Sequence, residues 1–121
     1  MVKVTVDKEQ KLVEAEISGM IKTEDAARAS SEIKRTMLQF GPQEAVLLID
    51  LVGFTPMSND VLSVMRGIGR DVATGFRKTA LIQDFSMEMR GRKVIEAPPG
   101  KKIPSYPTRE EALKYLFSEE N

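Results

Sequence analysis

Ala45-Val46-Leu47-Leu48-Ile49 is an unbroken apolar run that stops at Asp50. Five residues are too few for a helix, and the run offers no wet face. Such a segment reads as a strand covered on both sides, in the middle of a parallel sheet. Parallel neighbours need long crossovers, usually helices, and the flanking sequence supplies them. Upstream, Thr23 precedes Glu24 and Asp25, an N-cap with acids that suit the helix dipole. Ala26, Ser30, Ile33, Met37 and Phe40 then recur at helical spacing until Gly41-Pro42 stops the helix. Downstream, Ser58-Asn59-Asp60 offers cap residues, and Val61, Val64 or Met65, Ile68 and Val72 mark a second amphipathic helix.

The remaining elements follow from the same periodicities. Val2, Val4 and Val6 alternate with Lys3 and Thr5. After a polar turn, Leu12 to Ile17 alternates again with Glu14 and Glu16 outward, so the chain starts as a β-hairpin that Gly19 ends. Thr79 to Ile82 reads as a buried strand with Gln83-Asp84 at its carboxyl end. Ser86 opens a third helix reaching Val94-Ile95, weakened at Gly91 by ~1 kcal/mol. Lys101 to Tyr106 is a short strand that Pro104 keeps at an edge. Thr108-Arg109-Glu110-Glu111 is a capping box, and Ala112, Leu113, Leu116 and Phe117 give the last helix its apolar face.

The predicted fold is therefore α/β: an N-terminal hairpin leading into a mostly parallel sheet of about five strands, with about four helices. Its 121 residues suit one domain, 1–121, large enough to bury a core without staples. Right-handed crossovers between neighbouring strands would put the helices on one face. The other face of the central strand then calls for a homodimer contact or for cover by a terminal helix.

The composition excludes much chemistry. There is no Cys and no His, which removes disulfides, thiolate metal sites, Ser-His-Asp triads and haem-proximal ligation. No cofactor motif is present: Gly67 and Gly69 flank Ile68 inside a helix rather than after a strand, so close packing explains them better than a dinucleotide fingerprint. Lys and Arg total 18, as do Asp and Glu, so no nucleic-acid partner is expected. No apolar stretch approaches the ~20 residues of a membrane span, and no leader pattern opens the chain, so a cytoplasmic location is expected.

The stretch from Val46 to Val64 resembles the STAS domains, the anti-sigma-factor antagonist or SpoIIAA-like group. That family places a hydrophobic strand ending in Asp before a loop and a helix that starts at a phosphorylatable Ser or Thr. Here Leu48-Ile49-Asp50-Leu51 is followed by Val52-Gly53-Phe54-Thr55-Pro56-Met57 and then Ser58-Asn59-Asp60-Val61-Leu62. The late Pro107-Thr108-Arg109-Glu110-Glu111-Ala112-Leu113 looks like the family's final strand-to-helix turn. The resemblance implies a non-catalytic regulatory module that binds a protein partner, a kinase or regulatory protein, through Thr55, Met57, Ser58, Asn59 and Asp60. The family's phosphoacceptor position falls on Asn59, which has no hydroxyl, while Ser58 stands one residue early. The usual phospho-switch is thus not expected, although Ser58 is a candidate for phosphorylation. The chain looks closer to the uncharacterised SpoIIAA-like branch, lipid-carrier-like in fold.

Other groups compete for a role. Asp50 and Asp84 both end strands and would form an acidic pocket if those strands are neighbours. A Mg²⁺ site there is disfavoured against two loop-capping carboxylates, and no metal is expected. Residues 66–102 hold nine basic side chains against four acidic ones. Arg90, Arg92, Lys93, Lys101 and Lys102 would make a basic patch unless they form a plain solvated face. Met57, Met65, Met87 and Met89 would line a cavity if the function were binding of a small apolar ligand or lipid, against the commoner use of Met as core filling. An enzyme ranks last, for want of any nucleophile or acid–base motif.

Overall fold

A computed structural model describes residues 1–83 and 94–119. The elements run β1 (Val2–Asp7), β2 (Leu12–Ile17), β3 (Gly19–Ile21), α1 (Thr23–Met37), β4 (Val46–Asp50), β5 (Phe54–Pro56), α2 (Asn59–Gly67), β6 (Lys78–Ile82), β7 (Ser105–Tyr106) and α3 (Arg109–Leu116). A π turn (Ile68–Val72) and a 3₁₀ turn (Ala73–Gly75) join α2 to β6. The main sheet has the order β1-β2-β4-β6-β7. Only β1 is antiparallel, paired with β2 from Val2 opposite Ile17 to Asp7 opposite Leu12. The hairpin turn is held by the Asp7 carboxylate. It accepts the Gln10 backbone N–H at 3.1 Å and its side-chain amide at 2.9 Å, and these bonds keep its pKa below the usual 3.8.

The apolar run is the central strand, with β2 on one side and β6 on the other. Its alternation feeds two cores. Leu47 and Ile49 join Val13, Ala15 and Ile17 against α1 and α2, through Ala26, Ala29, Ile33, Val61, Leu62 and Met65. Val46 and Leu48 join Leu12, Ala80 and Ile82 against Ala112 and Leu116 of α3. The second face is therefore covered by the C-terminal helix rather than left open for self-association. The capping box that starts α3 is present, with the Glu111 N–H donating to Thr108 Oγ1 at 3.2 Å.

Several boundaries differ from expectation. Thr23 is the first helical residue rather than the cap, because the Asp25 carboxylate accepts the Lys22 N–H at 3.0 Å and sets the start one residue earlier. α1 ends at Met37, leaving Leu38 86% exposed. The edge strand shrinks to Ser105–Tyr106. Three α-helices are present among the described residues, not four: most of the stretch expected to form a helix from Ser86 lies outside them, and Val94 and Ile95 are buried in a bend. The hairpin ends before Gly19, with β2 stopping at Ile17, but Gly19 itself opens a further strand. Gly19–Ile21 pairs in parallel with Phe54–Pro56 to form a separate two-stranded ribbon.

Candidate functional site

The ribbon shapes the stretch between the central strand and α2. Asp50 Oδ1 accepts the Val52 N–H at 3.0 Å, which closes a tight turn at the end of β4. The chain reverses through Gly53 at φ +78°, a conformation that glycine adopts without a Cβ penalty. Gly19 N–H donates to the Gly53 carbonyl and Met57 N–H to the Ile21 carbonyl, each at 2.9 Å, so both ends of the ribbon are pinned. Period-two alternation then sorts the side chains. Ile21 and Phe54 turn inward and are buried, whereas Met20 and Thr55 turn outward, and Met57 follows them at 48% exposure. Met20 is 67% exposed and Val52 45%.

Ser58 precedes the first turn of α2 at φ −159° and ψ 168°, but its hydroxyl makes no capping bond. Ser58 thus holds the N-cap position, as expected, but without the side-chain bond of an ordinary cap, and the residue is exposed. Asp60 lies in the first turn, where the helix dipole favours a carboxylate. The five residues singled out from the sequence, Thr55, Met57, Ser58, Asn59 and Asp60, are all exposed along this one stretch. Met20 and Val52 were not singled out. A three-residue strand carries too little period-two signal to reveal an outward-facing methionine.

Asp50 does not belong to this rim. It shares the parity of Val46 and Leu48, so its carboxylate lies on the α3 side of the sheet, whereas α2 packs on the other. There it lines a shallow cleft of about 170 Å³ with Lys3, Thr5, Glu14 and Glu16. Glu14 is engaged by Arg109, which donates Nε–H to Oε2 at 3.1 Å and Nη2–H to Oε1. That hydrogen bond, ahead of the charge attraction, raises the Arg109 pKa. β4 and β6 are neighbours, with Asp50 opposite Ile82, but Asp84 lies outside the described residues. Among the described residues no group of three or more carboxylates is placed to hold a metal ion.

The other candidates separate. Met65 is fully buried core, Met57 is on the rim, and Met87 and Met89 lie outside the described residues, so the expected Met-lined cavity does not form from Met57 and Met65. Arg90, Arg92 and Lys93 also lie outside them. Lys101 and Lys102 are exposed and line a cleft of about 570 Å³ together with Arg77. No helix among the described residues is long and apolar enough to cross a membrane.

No family model matches the chain, and no curated protein matches it. A solved structure does: an uncharacterised protein of the DUF3478 family, with a SpoIIAA-like fold, from Shewanella loihica. The likeness has a TM-score of 0.56 at 15% identity and covers 96% of this chain and 92% of that one. At that identity the likeness speaks for architecture alone. The sheet order, the helices on both faces and this whole-length match together give the chain a SpoIIAA-like fold.

Proposed function

We propose that this chain is a non-catalytic interaction module that docks a protein partner on the rim formed by Met20, Val52, Thr55, Met57 and the first turn of α2. The observation that carries the reading is the outward face of the β3–β5 ribbon. Two methionines and a valine stand in solvent there, beside a helix start whose serine hydroxyl is not used for capping. Exposed apolar side chains are costly to leave in water when they gather, and methionine adapts to varied apolar partners. The rim also follows the carboxyl ends of two parallel strands, where open α/β sheets receive ligands and partners. The absence of His and Cys from the chain agrees with a binding role rather than catalysis.

Affinity purification from the native host tests this with three baits: the unmodified chain, Met20→Asp/Met57→Asp, and Leu38→Asp as a control on the exposed leucine that follows α1. The expected result is a partner retained by the unmodified chain and by Leu38→Asp, but depleted on the order of tenfold by the rim variant. Equal recovery on all three baits, or equal loss from both variants, rejects the rim as the docking surface. Circular dichroism confirms that each bait is folded.

A further inference from the structure

The cleft of about 570 Å³ runs along the outer edge of β6. Its size lies within the roughly 300–1,000 Å³ of small-molecule sites. Topology opens it. β7 pairs with β6 only at Leu81 and Ile82, so β7 leaves the edge at Lys78–Ala80 unpaired. The Leu81 and Gln83 amides point to the β7 side, where they donate to the Pro104 and Tyr106 carbonyls at 2.9 and 3.0 Å. Alternation turns the Thr79 amide the same way, and Thr79 lines the cleft.

The charge of the lining has one sign. Among the described residues it includes Arg77, Lys78, Lys101 and Lys102 and no carboxylate. Lys78 is engaged elsewhere. It is 8% exposed, and its ammonium donates to the Tyr115 carbonyl at 3.2 Å, the Ser118 carbonyl at 2.9 Å and Ser118 Oγ at 3.0 Å. Those carbonyls lie in and just past the last turn of α3, where the helix dipole concentrates about half a negative charge. Lys78 therefore offsets the partial negative charge that the end of α3 brings to the wall. Tyr115, a neutral phenol at neutral pH, adds no negative charge, and burial, with Tyr106 assisting, raises its pKa further. Arg77, Lys101 and Lys102 are exposed and in no ion pair among the described residues, and Lys102 is oriented toward the cleft wall by its contact with the Tyr115 ring. Pro98, Ile103 and Ala73 supply apolar surface beside them, and the Tyr115 ring lies under the Lys78 and Lys102 ammonium groups, 4.8 and 5.5 Å from its centroid.

We infer that this cleft binds a phosphorylated small molecule, its phosphate held by Arg77, Lys101 and Lys102 and its apolar body resting on Pro98 and Ile103. Three cations match a phosphate dianion better than a single carboxylate, and guanidinium meets phosphate with two parallel hydrogen bonds. None of these residues lies on the β3–β5 rim, so the site stands or falls separately from the docking surface.

A heteronuclear NMR titration of the full chain with phenyl phosphate tests the assignment. The expected result is saturable shifts concentrated at Arg77–Thr79, residues 100–103 and Tyr115, weakened on the order of fivefold or more by Lys101→Gln/Lys102→Gln. Both lysines are exposed, so the double variant keeps the fold. Inorganic phosphate is expected to bind several-fold more weakly, and benzyl alcohol to give no saturable shift. Shifts scattered elsewhere, undiminished binding by the double variant, or benzyl alcohol matching phenyl phosphate overturns the site. Inorganic phosphate matching phenyl phosphate overturns the role of the apolar wall.

Discussion

Leu116→Ala is expected to cost about 2–5 kcal/mol of stability, the range for removing a leucine from a packed core. Leu116 is fully buried at the centre of the α3 face, among Leu12, Val46, Leu48, Ala80, Ile82 and Ala112. A short helix contributes little by itself, so α3 depends on this contact to stay in place. Its loosening exposes the apolar far side of β4 and β6, and the variant is expected to self-associate at concentrations where the unmodified chain does not. Leu38→Ala is the matched control. At 86% exposure, Leu38 should change stability by no more than ~0.5 kcal/mol. Urea denaturation of both variants, with sedimentation velocity on the first, reads the difference.

Gly69→Ala is expected to lose about 1–3 kcal/mol or more, although the change adds one methyl group. Gly69 lies in the π turn beneath the segment containing Ile95 and Glu96. A Cβ there would collide with the Glu96 carbonyl oxygen and stand 2.6 Å from Ile95 Cγ2, so the neighbouring backbone would have to move. Gly67 gives the opposite sign. It has ordinary helical angles at the end of α2, φ −61° and ψ −30°, and among the described residues its Cβ would meet only the Asp71 and Arg70 side chains, at 3.6 and 3.7 Å. Gly67→Ala should therefore gain about 0.5–1 kcal/mol from helix propensity. Opposite shifts of the urea midpoint for two glycines two residues apart separate close packing from propensity.

Much of the architecture is legible before any coordinates. The run from Ala45 to Ile49 demands cover on both sides, and the two cores that its alternate residues enter provide it. Val2 to Ile17 announces a hairpin by period two, and Thr108 with Glu111 announces the start of α3. What the sequence could not yield is the face on which each helix lies. An all-apolar strand carries no mark of sidedness, so the placement of α3 opposite α1 and α2, and of the Asp50 carboxylate away from Asn59, emerges only in three dimensions. The β3–β5 ribbon was hidden for another reason. Three residues per strand are too few for periodicity, and Gly19 and Gly53 read as breakers although they open the turns that let the strands pair. The exposed stretch Thr55–Asp60 was readable as a site because it follows a strand and opens a helix. Its companion Met20 comes from a pairing partner 35 positions earlier in the chain.

Site-specific photocrosslinking in the native host tests the docking rim most directly. A photoreactive phenylalanine analogue replaces Met57 in one version of the chain and Lys114, exposed on α3, in another. The expected result is a discrete protein adduct from position 57, absent from position 114 and lost when Met20→Asp is added to the first version. The same adducts from both positions, or a position-57 adduct indifferent to Met20→Asp, would contradict the rim as the partner-binding surface.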